Sequence, residues 1–174
     1  TKGFPNFALT VSNVIIKDSL WAQHKHTLLN SKEIEVHADV KKMIFSDEVD
    51  IKKIKINDAI IDLYVDKNGY SNSDIFRKKP ADTTQKSKKK TIIEAIALDN
   101  VEFISGNVQR GKLFDFAVTK LESKIEHTST GWQTDAFVNV LAKSMAFKVS
   151  KGSFIKVKRV KGTLGVKYSS ADNR

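Results

Sequence analysis

The chain has 174 residues, no cysteine and a formal net charge of +10. It is long enough to bury most of its unfolded surface, as one domain or two small halves sharing a core, without disulfide staples. Thiolate chemistry is excluded, and no run of eighteen apolar residues exists that could span a bilayer as a helix. The charge is localised: residues 77–90, "RKKPADTTQKSKKK", carry seven Lys/Arg and one acid, or +6, leaving +4 for the other 160 residues. This composition, with Pro80 and no apolar periodicity, reads as a disordered linker or loop, not as a nucleic-acid surface. The chain opens at Thr1, not Met, so removal of a targeting or anchoring element is expected.

Taken in order, the elements have a period of two. "LTVSNVII" (9–16) opens the series, and "WAQHKHTLL" (21–29) has the pattern of a short helix. Ile34, Val36, Ala38 and Val40 alternate with Glu33, Glu35, His37 and Asp39, as in a half-buried strand. Val49 and Ile51 keep one register, Ile54 and Ile56 the other. The doublet Lys52-Lys53 marks the switch, where a bulge would return both sets to one side. Asn57-Asp58 reads as a turn. Ile61, Leu63 and Val65 then alternate before "DKNGYSNSDIF", whose Asn68-Gly69 pair tolerates the positive φ of a tight turn.

After the linker, "IALDNVEFI" (96–104) repeats the polar-Asn-Val centre of residues 9–16. Leu121, Ser123 and Ile125 alternate with charged neighbours, while "AFVNVLAKSM" (136–145) has the second short helical pattern. Ser150-Lys151-Gly152-Ser153 reads as a hairpin loop between Phe147/Val149 and a last strand. In that strand Ile155 and Val157 keep one register, a flip falls at Arg159, and Val160, Leu164, Val166 and Tyr168 continue. The reading is mainly β: curved antiparallel sheet(s) forming an open half-barrel or groove from two related repeats, with at most one or two short helices. The repeats are 1–76 and 91–174, joined by 77–90 and sharing one sheet or core. "YSSADNR" follows the last strand without a capping segment, as expected of a piece of something longer.

Chemistry-bearing constellations are weak. His24 and His26 would share a strand face, but no nearby carboxylate or cysteine in the sequence completes a tetrahedral metal set. Glu33, Glu35, His37 and Asp39 have the pattern of any solvated strand face. There is no phosphate-cradling glycine loop, nucleophile elbow or His-Glu-x-x-His helix. Arginine is scarce, against base readout by an RNA-binding sheet. Neither an enzyme nor a cofactor is expected.

With these parts in order, residues 31–76 resemble the first module of the AsmA-like family of Gram-negative envelope proteins: "EIEVHADVKKMIF", "VDIKKIKINDAIIDLYV", then "DKNGYSNSDIF", a D-x-x-G-x-x-N turn with Gly69 and Asn72 in place. The opening "FPNFALTVSNVIIKD" is similar to the family's first hairpin, which follows an inner-membrane anchor helix missing here. "FKVSKGSFIKVKRVKGTLGVKY" resembles a hairpin of Bacteroidetes-type members. The resemblance implies a periplasmic, inner-membrane-tethered module related to bridge-like lipid transporters. It implies an apolar groove for phospholipid or another acyl-chain lipid, with no catalytic residue.

The groove candidates are Ile34, Val36, Val40, Ile54, Ile56, Ile61, Leu63, Val65, Val157, Leu164 and Val166. Lys78, Lys79, Lys88, Lys89 and Lys90 are the candidates for head-group or membrane contact. In this expectation Ile75-Phe76 returns the chain to the apolar face after the first repeat closes. The alternative is a structural or partner-binding β-sandwich whose apolar faces seal against each other.

Overall fold

The structure, a computed structural model, describes residues 7–39, 49–76 and 91–169. Eight strands form one open, curved sheet: β1 Phe7–Ile16, β2 Leu29–Ala38, β3 Val49–Val65, β4 Thr91–Ile93, β5 Ala95–Asn107, β6 Lys112–His127, β7 Gly131–Ala146 and β8 Ile155–Ser169. The strand order is β1-β2-β3-β5-β6-β7-β8, with β4 continuing the β5 line alongside the start of β3. Neighbours are antiparallel except at the centre, where β3 pairs in parallel with both β4 and β5. The segments before and after 77–90 therefore share one sheet, joined across a parallel seam.

Alternation in the sequence becomes two sheet faces, because residues directly opposite on paired strands point the same way. Along one row lie Val11, Ile34, Ile56, Leu98, Leu121 and Val138. Along the neighbouring opposite-facing row lie Ser12, Glu33, Asn57, Asp99, Lys120 and Asn139. One face is thus apolar and the other charged.

Several backbone breaks keep the apolar set together over strands too long for an uninterrupted pleat, and three of them stand out. The first is the bulge at Lys52, where Ala38 faces Ile51 and His37 faces Lys53. It lies where the doublet predicted it, and Lys52 bonds Glu94 at 2.5 Å across the seam. The second runs across the sheet. Asn13, Asp58 and Asn100 all hold left-handed backbone (φ +55°, +47° and +52°), and Asn100 Nδ2 donates to Asp58 Oδ1 at 2.6 Å. Asn and Asp tolerate this conformation best among residues with a side chain. Each shifts the alternation by one, so Ile56 is followed on the same face by Ala59, Ile61 and Leu63 instead of Asp58 and Ile60. The predicted turn at Asn57-Asp58 is corrected: β3 runs straight through as a kinked strand. The repeated polar-Asn-Val signature of 9–16 and 96–104 marks the same kink in β1 and β5.

The third break is at Val157, with φ +50° and 72% exposure. The last strand changes register there, two residues before the expected flip at Arg159. Of the two segments with helical patterning, Trp21–His24 forms one turn of helix, α1. Residues 136–145 instead belong to β7, held on both sides by β6 and β8.

The core lies within this single layer. Ala59, Val101 and Val118 are buried, and Leu29, Ile56, Ile61, Leu98, Phe103, Phe116, Leu121 and Val140 pack against them. All come from the apolar face. Val101 is 2% exposed although every described strand belongs to one sheet. Burial this deep without a second sheet arises when neighbours on one face lean together, as on the inner side of a curved sheet.

Candidate functional site

The apolar face is the feature that asks for a partner. The row Leu9, Val36, Ile54, Ile96, Ser123, Ala136 and Leu164 lies beside the row through Ile56 and Leu98. The kink row adds Val14, Ser31, Ala59, Val101, Val118, Val140 and Val160. In the middle strands these side chains are half-buried against each other. On the outermost strands they are exposed: Leu9 by 47% and Leu164 by 51%. Large apolar side chains exposed side by side on one face are the kind of patch that marks a binding surface. The reverse face is laced by ion pairs and hydrogen bonds, including Lys55–Glu35 at 3.4 Å and Asn57 Nδ2 to Glu33 Oε1 at 2.9 Å. Glu33, Glu35 and His37 thus belong to a solvated strand face.

Of the expected groove residues, Ile34, Val36, Ile54, Ile56, Ile61, Leu63, Val65, Leu164 and Val166 share the apolar face. Val157 leaves it, because its left-handed backbone breaks the alternation. Val40 and the five lysines Lys78, Lys79, Lys88, Lys89 and Lys90 lie outside the described residues. Ile75 and Phe76 are exposed, by 43% and 68%, in a single 3-10 turn (Asn72–Phe76) that follows the Gly69 turn. The sequence reading missed the members supplied by the middle strands, above all Leu98, Phe103, Phe116, Leu121, Val138 and Val140. Their signal was present in the alternation of Leu121, Ser123 and Ile125, and needed only the strand register to place it.

A cleft of about 610 Å³ follows the kink row on the other side of the sheet, lined by Asn13, Lys32, Asp58 and Asn100 with Ile15 and Ile60 between them. Its edges are polar, and Lys32 lies 3.8 Å from Asp58.

The end of β3 is closed by side chains. Beyond Leu29 the β2 strand no longer accompanies β3, and Asn72 takes its place: its Nδ2 donates to the Asp62 carbonyl at 2.7 Å and its Oδ1 accepts from the Tyr64 N–H at 2.9 Å. Asp66 holds the turn by accepting from the Asn68 and Tyr70 N–H groups through Oδ1, and Gly69 sits at φ +88°. The spacing from Asp66 to Asn72 is thus a device for finishing a strand edge.

The two histidines are not on a strand. His24 ends α1 and His26 lies in the following connector. The His24 Nδ1 accepts from the His26 N–H at 3.0 Å, so its proton sits on Nε2 and is donated to Asp18 Oδ2 at 3.0 Å. The Tyr70 hydroxyl donates to the same oxygen. His26 Nδ1 meets Asp62 Oδ2 at 2.7 Å, and its ring stacks on Tyr64 with centroids 3.8 Å apart. Asp18 lies only six positions before His24, whereas Asp62, 36 positions from His26, gave no local sign of partnership in the sequence. Among the described residues no group of three or more His, Cys, Asp or Glu could hold a metal.

Burial is the largest influence on the Asp18 carboxyl and pushes it up. The hydrogen bonds from Tyr70 and His24, with the attraction of His24, outweigh burial, so the group titrates below its ordinary range. A depressed carboxyl pKa stabilises the fold above the unfolded value and loses that contribution as pH falls through the folded one. Asp18→Asn is therefore expected to lower stability at pH 7 by about 1–2 kcal/mol. In urea titrations at several pH values, the gap to the parent protein should close below about pH 4. A gap that persists unchanged at pH 3 would contradict this.

Comparison of the chain with models of protein families, with curated proteins and with solved structures finds no match.

Proposed function

We propose that the chain is a non-enzymatic lipid-handling module whose apolar sheet face holds acyl chains of phospholipid or a related lipid. In this reading it is a periplasmic part of an AsmA-like, inner-membrane-tethered protein of outer-membrane biogenesis, with the head group left in solvent. The observation that carries it is one-sided: Ile34, Ile56, Leu98, Leu121 and Val138 form a continuous apolar row with no second described sheet facing it. A methylene removed from water contributes about 0.8 kcal/mol. A sixteen-carbon chain lying half-covered on this face would gain about 6 kcal/mol, a Kd of tens of micromolar. Holding or sliding a chain along such a surface needs no catalytic group.

A delipidated preparation should take up a fluorescent sixteen-carbon fatty acid from solution with an affinity in that range. Absence of saturable uptake up to about 1 mM would sink the proposal.

A second reading is a structural or partner-binding β module, favoured by the edges. Each of β1 and β8 pairs on one side only among the described residues, and an unpaired strand edge is a template for another strand. Saturable fatty-acid uptake supports the first reading, and its absence together with strand pairing at these edges supports the second.

A further inference from the structure

We infer that the tip of the β7–β8 hairpin docks on an anionic lipid bilayer and so brings one end of the apolar face to a membrane surface. This names where the proposed acyl-chain face meets its lipid source, and it rests on that reading for its purpose. Two independent observations carry it. First, the tip exposes large apolar side chains: Phe147 by 53%, Val149 by 52% and Phe154 by 80%. Second, residues 136–171 contain eight Lys/Arg and no Asp or Glu. Exposed Lys148 and Lys151 flank the apolar tip itself. Aromatic and aliphatic side chains flanked by two lysines match an interface in which rings sit at head-group level and ammonium groups meet lipid phosphates.

The tip is also held in shape. The Val149 N–H donates to the Gly111 carbonyl at 2.6 Å, tying the hairpin to the neighbouring β5–β6 turn. That turn exposes Val108 (55%) and Arg110, extending the same apolar and basic character. Lys151 and Gly152 N–H groups close onto the carbonyls of Lys148 and Val149, and Ser153 Oγ accepts from the Met145 N–H. A preset loop reaches a surface without first losing conformational freedom. The rings also connect inward. Phe154 lies edge-on to Phe147, and Phe147 edge-on to Phe114, with centroids 6.4 and 5.5 Å apart. Phe114 is two residues along β6 from Phe116, which packs in the apolar core. An acyl chain leaving a bilayer at the tip would meet apolar surface all the way to Val101.

The test is flotation with vesicles of phosphatidylcholine containing 30 mol% phosphatidylglycerol, and with vesicles of phosphatidylcholine alone, at about 0.1 M salt. The protein should float with the anionic vesicles and stay behind with the neutral ones. K148Q/K151Q should weaken binding by roughly 25-fold, at about fivefold per lysine. F147S/F154S should weaken it at least tenfold. K148Q/K151Q changes only exposed side chains outside the acyl path and should take up the fluorescent fatty acid from solution as the parent does. Failure of the parent to float with anionic vesicles, or unchanged flotation of both variants, would overturn the inference. Flotation without any fatty-acid uptake would support the docking tip and sink the acyl-chain reading instead.

Discussion

A glutamate in place of Leu98 is expected to abolish measurable fatty-acid uptake. Leu98 sits in the middle of the apolar face, opposite Ile56 on β3 and Leu121 on β6. It packs against Ala59, Val101 and Val118 while keeping part of its surface open. An acyl chain laid over this position would press methylenes onto an unpaired carboxylate. Taking such a charge out of water costs several kcal/mol, and even 3 kcal/mol weakens binding more than a hundredfold. A matched pair on the last strand removes any doubt about folding. Leu164 and Thr163 are adjacent, both exposed, and on opposite faces, opposite Ala136 and Phe137 respectively. Leu164→Glu should weaken uptake severalfold and Thr163→Glu should leave it unchanged, with equal far-ultraviolet circular dichroism. Equal binding by both would mean that the apolar face is not the site.

Removal of one buried amide should have the largest effect on stability. Asn72 is fully buried and satisfies two backbone groups of β3 that would otherwise face nothing. Asn72→Ala leaves the Tyr64 N–H and the Asp62 carbonyl unpartnered, at about 1–3 kcal/mol each. Urea unfolding should show a loss of about 3–4 kcal/mol. Asn72→Asp should not rescue it: a carboxylate can accept from Tyr64 but sets an acceptor against the Asp62 carbonyl. Ile75→Ala, three residues on and exposed, should cost under about 1 kcal/mol. Hydrogen exchange gives a sharper reading, because the Tyr64 amide should lose its protection in the alanine variant. An Asn72→Ala protein as stable as the parent would mean that the edge is closed by other means.

Asp66, Gly69 and Asn72 each have a clear physical task in ending β3, which the Asn-Gly turn signal marked only in part. Strand alternation was legible because each strand has one face in contact with apolar neighbours and one in water, which fixes the identity of every second residue. The bulge at Lys52 was legible for the same reason, since two consecutive lysines cannot both stay on the charged face without it.

Asp58 was misread because a turn and a single left-handed residue within a strand ask the same thing of a side chain. What decides between them is the pairing on either side, with β2 and β5, and that is a property of the sheet. "AFVNVLAKSM" fits both periods, and only the two flanking strands select the extended form. The parallel seam between β3 and β5 left no local trace. A parallel pairing is a property of the assembled sheet, and the alternation within β3 and within β5 is the same for either direction of neighbour. Likewise no local pattern distinguishes His26, whose partner Asp62 is brought in by the end of β3.

The central claim is that acyl chains lie on the apolar face and nowhere else on the protein. A fatty acid carrying a photoactivated diazirine near its methyl end, crosslinked to the delipidated protein and mapped by peptide mass spectrometry, tests it most directly. The account predicts label on Ile34, Ile56, Leu98, Leu121 and Val138, and none on Glu35, Lys55 or Glu122. Label spread evenly over both faces, or concentrated on the charged one, would contradict it.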